Sequence, residues 1–257
     1  MPELPDIEIF ARNLNRVFAG KKLLKIRIVT GKKLPDKPSA YSKRLNGKKL
    51  KQIFRSGKEM RFEFSDTLLG LHLMLTGDLF IFQKQNSHHS TIAEFYFEGS
   101  NNLVLTDRMR NANIKLDPVD KAGVDALSKN LNVKYLKQAL QRKTTIKKVL
   151  TDQDVIRGIG NSYSDEILWQ AGISPFSIAN AIPEEKIKQL PPIIKKVLKK
   201  AIKDIGNNNK DKINVEVKEY LQVHTGKKET SPTGHKIIVK KVGFMKTYYT
   251  NEQKLYK

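Results

Sequence analysis

The 257-residue chain contains no cysteine, which excludes disulfides, thiolate nucleophiles and cysteine-ligated zinc. Its five histidines are scattered, so no metal site is expected from them and no cofactor is implied. No run approaches the roughly 18 apolar residues of a membrane span, and no charged-then-apolar leader is expected ahead of the first amphipathic stretch. Acidic residues are scarce relative to basic ones: Asp and Glu number 26 against 48 Lys and Arg, a net charge of +22. A surplus of that size implies a polyanionic partner, nucleic acid being the commonest, although a basic RNA-coating protein without chemistry fits the same composition. What the chain does have is apolar residues, 39% of the total, enough for one large domain or two modest ones.

The first ten residues, Met1-Pro2-Glu3-Leu4-Pro5-Asp6-Ile7-Glu8-Ile9-Phe10, offer a nucleophile that can be named. Excision of Met1 would leave Pro2 with a free secondary amine. An α-amino group titrates near pH 7.7 to 8, against about 10.4 for lysine, so much more of it is neutral at physiological pH. Ile7, Phe10, Ala11, Leu14 and Val17 recur at helical spacing, which places Pro2 and Glu3 at a helix start. There the dipole disfavours the ammonium and favours an ionised Glu3. Asp6, one turn on, is positioned to share proton traffic. Acidic first turns are also common in proteins that do no chemistry.

The run Pro2 to Glu8 resembles the opening of the formamidopyrimidine-DNA glycosylase and endonuclease VIII family, with Asp6 where the family usually has Glu. The resemblance implies that the terminal proline attacks the deoxyribose of a damaged nucleotide while Glu3 serves as general acid and base. Further along, Arg55-Ser56-Gly57-Lys58 reads as a turn between strands, and the resemblance gives Lys58 a catalytic role beside the lesion. Leu71-His72-Leu73-Met74-Leu75-Thr76-Gly77 is similar to a family stretch in which His72 would contact a phosphate and Leu75 would wedge into the duplex as the base is flipped out. His89 stands where some relatives carry a DNA-contacting histidine. At Asp107-Arg108-Met109-Arg110-Asn111-Ala112 the chain departs from the family's Asp-Pro-Arg-Arg-Phe-Gly. Arg110 keeps a phosphate contact, but Met109 and Asn111 replace the arginine and phenylalanine that attend the opposite base.

Residues 21–117 read mainly as short strands, a β-sandwich or barrel packed on the first helix. Pro118, Gly123 and polar residues mark 118–132 as a linker. Helical periodicity follows at 133–140, 145–150, 162–171 and 193–205. The lysines of 193–205 suit either a membrane-surface helix or a helix of a small bundle, which we favour. Lys143 to Gln153, then Gly158-Ile159-Gly160-Asn161, closely resemble the family's helix-two-turn-helix module. Asn161 is read as an N-cap, and the helix start, with Lys143 and Lys147, as a phosphate site. In the tail, Thr230, Thr233, Thr250 and Gln253 stand where relatives have four zinc-binding cysteines, so a zinc-less finger is implied. Met245 occupies the place of the finger's arginine and Lys246 is its candidate substitute.

The expected architecture is therefore α+β. Residues 1–117 form a catalytic N-terminal helix on a β-sandwich, 133–213 a helical domain carrying the helix-two-turn-helix module, and 214–257 a zinc-less β-hairpin finger. The resemblance implies a base-excision repair glycosylase with abasic-site lyase activity. Its expected partner is double-stranded DNA containing damaged bases or abasic sites; we expect it to act as an intracellular monomer, without membrane. The rival is a catalytically idle lesion or structure binder on the same scaffold.

Overall fold

In the first 120 residues, helical spacing and strand alternation resolve into a helix laid on two antiparallel sheets. The structure, a computed structural model, describes residues 1–30, 33–243 and 245–257. Its chain divides into two compact units, Met1–Asp120 with Ile205–Glu216 and Lys121–Asp204 with Val217–Lys257.

The first unit runs α1 (Leu4–Phe18), β1 (Leu23–Ile28), α2 (Pro38–Leu45), β2 (Leu50–Ser56), β3 (Glu59–Phe64), β4 (Leu68–His72), β5 (Gly77–Phe82), β6 (Thr91–Phe97), β7 (Asn102–Asp107) and β8 (Asn113–Leu116). One sheet has the order β1-β6-β7-β5 and the other β2-β3-β4-β8. Ile26, Phe95 and Leu105 of the first share a core with Ile53, Phe62 and Leu71 of the second, and the Phe62 and Phe95 rings lie parallel at 6.3 Å. α1 buries Leu4, Ile7, Phe10 and Leu14, the stripe expected of an amphipathic helix, and packs on β2 and β3. The expected α+β sandwich is present. Unexpected is α2, a short helix with Pro38 in its first turn and Tyr41 and Leu45 buried one turn apart; the Tyr41 hydroxyl donates to the Ile114 carbonyl at 2.8 Å.

The second unit contains β9 (Val124–Asp125), α3 (Val133–Ala139), α4 (Ile146–Thr151), β10 (Ile156–Arg157), α5 (Asn161–Ala171), most of α6 (Glu184–Asn208), β11 (Ile238–Val242) and β12 (Met245–Tyr249). The stretch 118–132 is no bare connector, because β9 pairs with β10 and Ala126 and Leu131 are fully buried. Nor does the chain divide at 213, since 205–216 belongs to the first unit, where Ile213 joins the core. α6 begins nine residues before the expected 193 and carries Pro191 and Pro192 inside it. Each interior proline costs about 3 kcal/mol or more; the row Ile187, Leu190, Ile194 and Leu198, all buried, offsets it.

Candidate active site and nucleic-acid interface

Glu3 is the N-cap of α1 and is locked there by a reciprocal capping box: its carboxylate accepts from the Asp6 amide, while its own N–H donates to the Asp6 carboxylate at 3.0 Å. Asp6 is wholly buried. Its expected share in proton traffic gives way to this capping role, because its carboxylate is already committed to the Glu3 backbone. Glu3 itself is only 2% exposed. Pro2 precedes it, still joined to Met1, whose ammonium lies 3.1 Å from Glu216.

Lys58 sits in the two-residue turn between β2 and β3, made possible by Gly57 at φ +59°. The turn is tied to α1 through Arg55, whose Nε donates to Glu8 at 2.9 Å and whose Nη1 donates to the Gly57 carbonyl at 3.2 Å. Lys58 is 8% exposed. Burial pulls its pKa below the ordinary lysine value, only partly opposed by the negative charges of Glu3 and Glu216. A buried amine held in this way switches more readily between donor and acceptor than a solvated lysine does.

Pro2 opens onto a cavity of about 420 Å³, within the size range of small-molecule sites. Leu75, Phe80, His88, His89, Arg108 and Glu216 line it with Pro2. His88 stacks on Phe80 at 4.0 Å, while the neighbouring His89 is exposed.

Leu75 stands 61% exposed on a tight loop. Met74 has φ +54° and its N–H donates to His72 Nδ1 at 2.9 Å, while the Gly77 N–H donates to the Leu73 carbonyl at 2.9 Å. A Cβ on Gly77 would run into that carbonyl oxygen and into Ala112. Because His72 Nδ1 accepts, the ring's proton lies on Nε2, the donor tautomer a phosphate contact requires. Sequence reasoning assigned no role to Asp107, yet its buried carboxylate accepts from the Thr76 hydroxyl and from the amides of Met109, Asn111 and Ala112. Burial pushes its pKa up, but the hydroxyl and the three amides more than offset this and hold it low. One aspartate thus fixes both the Leu75 loop and the loop bearing exposed Met109 and Arg110.

In the second unit, Gln153 shapes the double-glycine turn: its Oε1 accepts from the Gly158 amide at 2.9 Å and its Nε2 donates to the Ile159 carbonyl at 2.7 Å. The N-cap of α5 is Gly160, not Asn161, because Gly160 keeps the extended conformation and helical geometry begins one residue later. The Asn161 amide instead donates to the Lys246 carbonyl at 3.0 Å, linking the helix start to the hairpin. Lys143 and Lys246 are exposed. Lys147 is not: it is 7% exposed, its ammonium donating to Asp165 at 2.6 Å and to the Thr247 hydroxyl at 2.9 Å. Its placement is that of a buried ion pair rather than a cation held out to a phosphate. Asp165 also meets His224 Nδ1 at 2.7 Å and accepts from the Tyr248 amide at 2.9 Å, a network invisible in local sequence.

Two of the four hairpin positions read as lost cysteines, Thr233 and Thr250, are joined by Glu252. Its carboxylate accepts from the hydroxyls of Thr233 and Thr250 at 2.9 Å and from the Trp169 indole N–H at 2.7 Å. Gln253 accepts from the Thr250 amide at 2.8 Å and donates to the Ile173 carbonyl at 2.8 Å. Where a metal would gather four thiolates, a carboxylate gathers hydroxyls and an indole. Among the described residues no His, Cys, Asp or Glu cluster fit for a metal occurs.

Both units match known protein domains. Residues 1–114 match the formamidopyrimidine-DNA glycosylase N-terminal domain and residues 122–212 the formamidopyrimidine-DNA glycosylase H2TH domain. The formamidopyrimidine-DNA glycosylase of Lactobacillus gasseri is 32% identical over 219 residues, 80% of this chain and 79% of its own. That of Carboxydothermus hydrogenoformans is 29% identical over 219 residues, 84% of this chain and 83% of its own. The chain belongs to the formamidopyrimidine-DNA glycosylase family. Among solved structures, Lactococcus lactis Fpg in complex with DNA containing an abasic site has a TM-score of 0.86 at 25% identity, covering 96% of this chain and 97% of that one. MutM in complex with DNA containing carbocyclic 8-oxo-G has a TM-score of 0.87 at 27% identity, covering 97% of this chain and 98% of that one.

Proposed function

We propose that this chain, with Met1 removed, is a base-excision repair DNA glycosylase that also cleaves the strand at the resulting abasic site. The observation that carries the reading is the helix start of α1: Pro2 lining the 420 Å³ cavity, Glu3 locked beside it by the capping box, and Lys58 buried within reach of the Glu3 charge. Double-stranded DNA bearing an oxidised base or an abasic site is its substrate, as in the relatives' complexes with abasic-site and 8-oxo-G DNA.

In this mechanism the neutral Pro2 nitrogen bonds to the sugar's anomeric carbon as the bond to the damaged base breaks and the base leaves with its electron pair, and the remaining Pro2 N–H proton passes to Glu3. Protonation of the ring oxygen opens the sugar and leaves an iminium, which acidifies the adjacent carbon. Loss of that proton expels the 3′ phosphate by β-elimination, and δ-elimination of the 5′ phosphate follows. Glu3 moves the protons, Lys58 orients and protonates, and the iminium is the electron sink. Leu75 fills the space vacated by the flipped base. His72, His89, Arg110, Lys143, Asn161 and Lys246 hold phosphates.

Borohydride trapping on duplex DNA with one abasic site tests this. Protein whose mass shows Met1 absent is expected to form a covalent adduct that Pro2→Gly abolishes and Glu3→Gln reduces by about two orders of magnitude. No adduct from such protein would leave the idle binder as the better reading.

A further inference from the structure

Glu216 lies in no motif read from the sequence, yet it stands at the proposed nucleophile. It follows Val215, whose φ of +60° is a strained conformation for a β-branched residue. That backbone turn belongs to the first unit and delivers the Glu216 carboxylate to the Met1 ammonium at 3.1 Å, with the glutamate side chain 13% exposed. The same carboxylate acts on the Lys58 ammonium, and Pro2 and Glu216 line one cavity. Excision of Met1 moves the terminal amine by one residue, about 3.8 Å between successive Cα atoms, and leaves it on Pro2, in the cavity that Glu216 also lines.

We propose that Glu216 is a positioning residue for the Pro2 amine: it holds the resting ammonium at the cavity mouth and takes its proton before attack. In that step a Pro2 N–H bond breaks, an O–H bond forms on Glu216, and the lone pair on nitrogen is freed. The inference rests on the reading of Pro2 as nucleophile. Other charged or titratable groups also face the amine: Glu3 and Lys58 at the helix start, and Asp78, His88, His89 and Arg108 around the cavity. Glu216 accepts from the Met1 ammonium at 3.1 Å.

A neighbouring carboxylate favours the protonated amine, so the amine of Glu216→Gln loses its proton at lower pH. The midpoint of the acid limb of the borohydride-trapping rate is expected to fall by about one pH unit, and the plateau rate to fall with it as alignment is lost. Glu216→Asp is expected to keep the wild-type midpoint. A titration of 15N-labelled Pro2 by NMR, needing no DNA, is expected to show the same downward shift. Unchanged midpoints in both measurements would overturn the proposal. A wild-type protein that forms no adduct would count against the Pro2 reading instead, and the amine titration would still decide the role of Glu216.

Discussion

At the scale of single residues, Lys58 shows how a proposed chemical role and a structural cost coincide. Its net pKa shift is downward, with burial the largest cause, so the folded state disfavours the charge that the unfolded chain carries freely. The penalty is present below the lowered folded value and is relieved as pH rises towards the ordinary lysine value. Lys58→Met removes the buried charge while keeping most of the side-chain volume. We expect the melting temperature at pH 7 to rise by a few degrees and strand cleavage to fall by two orders of magnitude or more, on the scale of lost acid-base catalysis. A lower melting temperature would show that Glu3 and Glu216 need the ammonium for folding. Pro2, Glu3 and Lys58 were picked out in the sequence by the family resemblance of the short stretches that hold them, since residue type and spacing alone fit a solvated helix start and turn equally well. Glu216, Asp107 and Glu8 were not. The Met1–Glu216 pair spans 215 positions, and Asp107 acts by receiving hydrogen bonds from a loop 31 residues earlier as well as from its own.

At the scale of elements, the alternating strands and the amphipathic α1 were legible because each periodicity is local. α6 was misjudged because Pro191 and Pro192 signal a boundary in any local reading, whereas tertiary burial of its apolar row carries the helix through them. The finger shows the opposite: its lost cysteines could be located by resemblance, but the substitute could not. Glu252 is that substitute. Burial raises its pKa, but hydrogen bonds from Trp169, Thr233 and Thr250 and the nearby His235 outweigh this and hold it below the ordinary glutamate value. A depressed carboxylate contributes stability that is complete above the unfolded glutamate value, about 4.3, and is lost as pH falls through the lower folded value. Trp169 is the chain's one tryptophan and donates directly to Glu252, so its fluorescence reports the event. We expect an acid transition in Trp169 emission, insensitive to chelators, that Glu252→Gln removes. A transition that survives in Glu252→Gln would place the titrating group elsewhere.

At the scale of the whole molecule, a net charge of +22 governs encounter with DNA more than any single contact does. Each phosphate neutralised by a lysine or arginine releases condensed counterions and adds about 0.9 to the slope of log affinity against log salt. The basic residues of the helix-two-turn-helix module and the hairpin are nevertheless not equivalent. Lys143 and Lys246 are exposed, so each substitution to alanine is expected to lower the slope by about one and to weaken lesion-bearing and undamaged duplexes alike. Lys147 spends its charge on Asp165, which is fully buried. Removing it leaves a carboxylate shared by His224 and the Tyr248 amide with less positive charge than it needs. Lys147→Ala is therefore expected to cost about 3 kcal/mol of stability and to leave the salt slope unchanged in protein that remains folded. Fluorescence anisotropy on an abasic duplex from about 50 to 200 mM salt, a span over which such affinities fall by orders of magnitude, separates the two classes. A slope reduced by Lys147→Ala with no loss of melting temperature would show that Asp165 releases the lysine to a phosphate when DNA binds, and that the buried pair belongs only to the free protein.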